Sequence, residues 1–201
     1  MIALDVKQGG EEWLDARIGI PTASNFKKII TTKGAISDQR TTLLFDLVEE
    51  RLLGVKKKTY ESAAMNRGVE LEPEARDFFQ FASELHVEEV GLCYFDERKD
   101  RGCSPDGLIG KTQGFEAKCP SLAVHAKYLE SNKLPTEHFQ QVQGCLYITG
   151  RDQWHFFSYF PGVKPFHIIV ERDEMWIAKL SKALDDFNIE LNEIYKNLSE
   201  G

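Results

Sequence analysis

Ser104-Pro105-Asp106-Gly107-Leu108, followed six residues later by Gly114-Phe115-Glu116-Ala117-Lys118-Cys119, is the stretch on which the reading of the fold turns. Gly107 and Gly114 bracket a polar connection, Gly110-Lys111-Thr112-Gln113, between two short apolar runs, which predicts a β-hairpin with a multi-residue loop. Asp106 falls on the first arm. On the second arm side chains alternate, so Glu116 and Lys118 project from one face while Phe115, Ala117 and Cys119 project from the other. One face carries charge and the other packs.

The chemistry that calls for such a set is metal-assisted hydrolysis of a phosphodiester. Two carboxylates a few ångströms apart repel unless a cation sits between them, and oxygen ligands suit Mg²⁺ or Mn²⁺. Lys118 is placed to hold or polarise an attacking water and to balance charge. Taken singly, each piece also has a plain reading: Pro105-Asp106-Gly107 is a turn signature, and Glu116 with Lys118 fits an exposed ion pair on a strand.

Downstream of the hairpin, residues 121–131 read as a short helix, and Pro135 to Tyr147 as another with Pro and Glu in its first turn. Two strands follow, 153–160 and 164–171, joined by a Pro161-Gly162 turn. Phe166, Ile168, Ile169 and Val170 form a nearly continuous apolar run, as expected of a central strand covered on both faces. Trp176, Leu180, Leu184, Phe187, Leu191, Ile194 and Leu198 recur by threes and fours in an amphipathic helix over 173–198, which packs on the sheet or on a neighbouring subunit.

Upstream, residues 8–19 predict a short helix with acids in its first turn and Arg17 in its last. Thr22 or Ser24 then caps a second helix through Lys27 to Ile30, and hydroxyls beside an arginine at a helix end suit either a phosphate or an ordinary cap. Residues 31–41 form a polar loop. A helix over 41–53 buries Leu43, Leu44, Leu47, Val48 and Leu52, and Lys56-Lys57-Lys58 reads as a solvated connector or a DNA contact. Residues 61–85 are helical with a break or kink near Pro73, putting Leu71, Ala75, Phe78 and Phe79 toward the core and leaving Glu70, Glu72 and Glu74 as surface acids by local chemistry. A strand is expected over 87–95. The outline is one domain over residues 1–201, of α/β class, with a central mixed sheet flanked by helices.

Composition sets limits. With 201 residues and 42% hydrophobic content the chain can bury one sizeable core. No run approaches the roughly 18 apolar residues of a membrane span, so no membrane partner and a cytoplasmic location are expected. The four cysteines, Cys93, Cys103, Cys119 and Cys145, lack metal-type spacing and read as buried free thiols. A formal charge of −7 argues against a nonspecific nucleic-acid coat, though a groove can still be locally basic.

The collinear set resembles the PD-(D/E)xK nuclease superfamily, and more closely the phage lambda exonuclease and YqaJ-like viral recombinase family. The matching blocks are Trp13 with Ala16-Arg17-Ile18-Gly19 and Thr22-Ala23-Ser24, then Gly68 to Arg76, Cys103 to Leu108, Glu116 to Pro120, Gln141-Val142-Gln143, and Ile169 to Glu174. The resemblance implies a restriction-endonuclease-like core. It also implies that Asp106, Glu116, Glu72 and the Ala117 carbonyl hold two Mg²⁺ ions, with Mn²⁺ a possible substitute. Lys118 matches the catalytic lysine, and Gln141 a glutamine lying against that site. Arg17 and Ser24, with Thr22, match positions that receive the 5′-phosphate, and Met65 an apolar wedge at the end base pair. The implied activity is 5′→3′ digestion of double-stranded DNA ends, leaving a 3′ single strand. The implied assembly is a homotrimeric ring working with a phage single-strand annealing protein inside a bacterial host. Two rival readings are a restriction-type endonuclease and a catalytically silent DNA-end-binding module.

Overall fold

The computed structural model describes residues 1–57 and 63–200, and the side chains of all of these except 63–65. Along the chain run β1 (Ile2–Leu4), α1 (Glu11–Asp15), α2 (Arg40–Leu53), α3 (Ala63–Ser83), β2 (Leu92–Tyr94), β3 (Gly102–Cys103), β4 (Gly107–Ile109), β5 (Gln113–Lys118), α4 (Leu122–Ser131), α5 (Phe139–Thr149), β6 (Gln153–Ser158), β7 (Phe166–Glu171) and α6 (Glu174–Ser199). The main sheet has the order β4-β5-β6-β7 and is mixed: β5 pairs parallel with β6, and the outer pairs are antiparallel. Parallel neighbours need a long crossover, and α4 and α5 supply it. β1, β2 and β3 form a separate antiparallel sheet.

The hairpin is present as expected. Gly107 faces Phe115 and Ile109 faces Gln113, closing a loop in which Gly110 takes φ +51°, a conformation costly for other residues. On β5, Phe115 and Ala117 are buried with Ala75 and Phe79 of α3 and Phe157 of β6. Gly114 has no room for a side chain, since an added Cβ would lie 2.2 Å from the Trp154 ring. The larger core gathers Trp176, Leu180, Leu184 and Phe187 of α6, Leu43, Leu44 and Leu47 of α2, and Val142 and Leu146 of α5. Asp173 caps α6, its side chain accepting from the Trp176 N–H.

Several expectations are corrected. β7 is an edge strand, not a central one: Phe166 is buried, but His167, Ile169 and Glu171 are exposed, so its apolar run is covered on one face only. α3 runs on through Pro73, so of the expected break or kink the break does not occur. The expected 87–95 strand shortens to β2, and the 8–19 helix to α1, with Arg17 in the turn after it. The helix expected through Ile30 is a six-residue 3-10 turn, Ala23–Lys28. All four cysteines are buried and free, and no described helix is long and apolar enough to cross a membrane.

Candidate active site

Extending the β4–β5 register by one residue sets Asp106 level with Glu116. Asp106 is tied across the hairpin, its Oδ2 accepting from the Ala117 N–H at 2.7 Å. The segment leading to it is pinned by Gln8, whose Nε2 donates to the Pro105 carbonyl at 2.8 Å and to Val90 at 2.9 Å. Glu116 is only 1% exposed. Its Oε1 accepts from Lys118 Nζ and from Gln141 Nε2 on α5, while Oε2 is buried without a partner among the described residues. Glu72, on α3, lines cavities together with Asp106 on one side and with Ala117 and Lys118 on the other.

The electrostatics show three acids in mutual reach. Burial, then the charge of Asp106, push Glu116 up to about 8, against the pull of Lys118. The same two causes push Glu72 up to about 7. Burial raises Asp106 as well, opposed by Lys118, the Ala117 N–H and Arg76. Burial works to lower Lys118, but Glu116 and Asp106 outweigh it and hold the ammonium charged. Three carboxylates that cannot all ionise comfortably, with one orphaned oxygen, have the donor type and surplus negative charge that a hard divalent cation neutralises. Among the described residues no three such side chains are grouped as closely as ligands around an ion. Asp106 and Glu116 instead turn one oxygen each to N–H donors.

A second cluster begins two residues before Asp106. Arg17 Nη1 donates to Ser104 Oγ at 2.7 Å and Nη2 to Thr22 Oγ1 at 3.4 Å, and Thr22 meets Ser24 Oγ at 3.2 Å. Trp13 stacks over the guanidinium at 4.1 Å and donates its indole N–H to the same Ser104 hydroxyl. Burial pulls Arg17 down to about 10, and its Nε is sealed without a partner among the described residues. Among the described residues this half-buried guanidinium bonds only neutral hydroxyls, which leaves its charge suited to an anion. Here Arg17 carries the cluster, not a helix end, since the 23–28 segment is a short 3-10 turn.

Of the residues singled out from the sequence, Asp106, Glu116, Lys118 and Gln141 are joined by direct hydrogen bonds or by the hairpin register, and Arg17, Thr22 and Ser24 form their own group. Ser104 and Trp13 had no role assigned from the sequence, although both stand inside the quoted blocks. Their partners lie 87 and 91 residues away, a pairing no local pattern encodes. Met65 lies on α3, but its side chain is outside the described residues. Lys56 is not a solvated connector: its Nζ bonds Glu50 at 2.7 Å and the Arg17 carbonyl at 3.1 Å. Lys57 pairs with Asp46 and Glu49 at the surface, and Lys58 lies outside the described residues. Arg40 is engaged by Glu190 at 2.6 Å.

Comparison with known proteins bears on this arrangement. The model of the YqaJ-like viral recombinase domain matches residues 12–152. An alkaline exonuclease from Laribacter hongkongensis, LHK-Exo, is similar at 33% identity over 95% of this chain and 97% of its own, with a TM-score of 0.86. The same figures hold for LHK-Exo in complex with dAMP. A phage related exonuclease from Haemophilus somnus 129PT shares the fold at 14% identity, a TM-score of 0.70, and coverage of 89% and 96%. No curated protein matches.

Proposed function

Because the chain belongs to the YqaJ-like viral recombinase family, we propose that it is a Mg²⁺-dependent 5′→3′ exonuclease of double-stranded DNA that releases mononucleotides. The observation that carries the reading is the spacing of the two clusters. Ser104, bonded to Arg17, and Asp106 stand two residues apart, a span of at most about 7 Å of chain. That leaves room for a single nucleotide between an anchored 5′-phosphate and the carboxylates. The similar protein LHK-Exo is an alkaline exonuclease with a structure in complex with dAMP, which agrees with such a product.

Each residue then has a part. Arg17 exchanges its bonds to Ser104 and Thr22 for charge-assisted bonds to the 5′-phosphate, which sets polarity. Asp106, Glu116, Glu72 and the Ala117 carbonyl would hold two Mg²⁺ ions, or Mn²⁺. Bound there, the metal would lower the pKa of water and offset charge on the phosphoryl oxygens. Lys118 positions the attacking water and compensates negative charge, and Gln141 keeps Glu116 in place. Cleavage of the P–O3′ bond leaves a mononucleotide and a strand with a fresh 5′-phosphate, which suits the same pocket again.

The 3′ overhang would serve recombination by strand annealing, with a phage annealing protein as partner and a homotrimeric ring holding the duplex. Incubation of a linear and a covalently closed circular duplex with wild type and Asp106→Ala tests the reading. Mononucleotide release from the linear form alone, lost in the variant, is expected. Nicking of the circle would refute it in favour of an endonuclease, and end binding without release in favour of a silent module.

A further inference from the structure

Two cavities meet at Val69 and Glu72 on α3. The first, of about 430 Å³, is walled by Lys7, Gln8, Gly91 and Asp106. Trp13, which covers Arg17, donates to the Gly91 carbonyl at 3.0 Å, so this cavity adjoins the anion pocket. The second, of about 450 Å³, runs from Glu72 past Lys118 to Pro120, Tyr128 and His138. A strand with its 5′-phosphate at Arg17 and its first phosphodiester at Asp106 and Glu72 therefore reaches the second cavity with its next nucleotide.

The wall of this second cavity carries a bonded set that the proposed reaction leaves unused. Tyr128, 7% exposed, donates its hydroxyl proton to Glu137 Oε1 at 2.9 Å. Its oxygen is then free to accept from His138 Nε2–H at 3.3 Å. The imidazole is braced by the Phe156 ring, with centroids 5.2 Å apart, and by the edge of Tyr128. Burial, then the charge of Lys118, pull His138 down to about 4, so the ring is neutral at ordinary pH. With the proton on Nε2, Nδ1 is a hydrogen-bond acceptor. Among the described residues it has no partner, and it is not among the polar atoms sealed from solvent.

We infer that His138, oriented by Tyr128 and Glu137, binds the base of the second nucleotide of the digested strand. The placement rests on the exonuclease reading for the direction of that strand. Pro120 and the Tyr128 ring give the cavity apolar surface, and all four bases carry an N–H donor on the pairing edge. One acceptor thus serves any sequence, and the contact requires that the second base be unpaired when it is made. Tyr128 acts as a positioning residue through His138.

Fluorescence anisotropy tests this, with Ca²⁺ in place of Mg²⁺ and a dye-labelled duplex whose 5′-phosphorylated strand carries a normal or an abasic second nucleotide. Loss of the base should weaken wild-type binding about tenfold, in line with single base contacts elsewhere. His138→Ala should weaken the normal duplex comparably and no longer distinguish the two DNAs. Tyr128→Phe, which keeps the ring but frees the imidazole, should cost about threefold and shrink the distinction. Equal losses on both duplexes in His138→Ala would overturn the inference in favour of a structural role. Wild-type indifference to the abasic nucleotide would overturn it too. Binding needs no cleavage, so a failure to release nucleotides with Mg²⁺ would refute the exonuclease reading while this coupling is still measured.

Discussion

Glu116→Gln is expected to abolish cleavage and yet stabilise the protein in the absence of Mg²⁺. Glu116 is 1% exposed, one of its oxygens has no partner among the described residues, and burial with the Asp106 charge pushes its pKa from 4.5 to about 8. Between those values the unfolded chain has lost the proton that the folded chain retains. Fewer protons bound in the unfolded state means that stability falls as pH rises. At about 1.4 kcal/mol per pH unit, the interval from pH 4.5 to 7.5 amounts to about 4 kcal/mol. Relaxation and water entry return part of it, leaving about 2–4 kcal/mol. A neutral amide escapes this cost and keeps an oxygen for Lys118. For a chain of this length each kcal/mol moves Tm by about 2–4 °C, so the variant should melt about 4–16 °C above wild type at pH 7.5 in EDTA. The gap should close toward pH 4.5, and Mg²⁺ should raise the wild-type Tm more than the variant's. Calorimetric melts from pH 4.5 to 8, with EDTA and with Mg²⁺, measure all three. A variant that melts below wild type at pH 7.5, or a gap independent of pH, would refute the reasoning.

Arg17→Gln should remove the preference for phosphorylated ends. Two charge-assisted bonds, about 1.5–3 kcal/mol each, replace weaker ones to hydroxyls, so the ratio of kcat/KM between 5′-phosphate and 5′-hydroxyl duplexes should fall about a hundredfold; an unchanged ratio would count against the pocket. Gly114→Ala drives a methyl into the Trp154 ring, which an added Cβ would approach to 2.2 Å, and overpacking of this kind costs about 1–3 kcal/mol, read as a lowered urea midpoint. Arg151 Nη1 donates to the carbonyls of Ile109, Gly110 and Gln113, clamping the hairpin that carries Asp106 and Glu116. Arg151→Met should lower both Tm and kcat, and a change in neither would show that the clamp is dispensable.

Much of the site was legible because it obeys a period of two. Glu116 and Lys118 share a face of β5, and Phe115 and Ala117 pack behind them, so local alternation separated chemistry from core. α2 and α6 were legible for the corresponding helical reason, although Leu52 and Leu198, expected on their apolar faces, are exposed. What the sequence concealed depends on tertiary neighbours. Phe166 to Val170 reads as a strand covered on both faces, but nothing in those residues says that β7 lies at the sheet edge. Glu72 looks like any surface acid until burial and Asp106 raise its pKa, and only the family resemblance pointed to it. Ser104 was visible as part of a turn, whereas its bond to Arg17 bridges 87 residues. Pro73 pointed to a break or kink because its ring removes a donor and crowds the preceding turn, whereas α3 runs through it unbroken.

Digestion of one linear duplex, with a 5′-phosphate at one end and a 5′-hydroxyl at the other and a distinct label at each, tests the central claim most directly. In Mg²⁺, mononucleotides should appear first from the phosphorylated 5′ end, and chelation should stop their release. Release that begins at 3′ ends, proceeds in EDTA, or ignores the terminal phosphate would contradict the account.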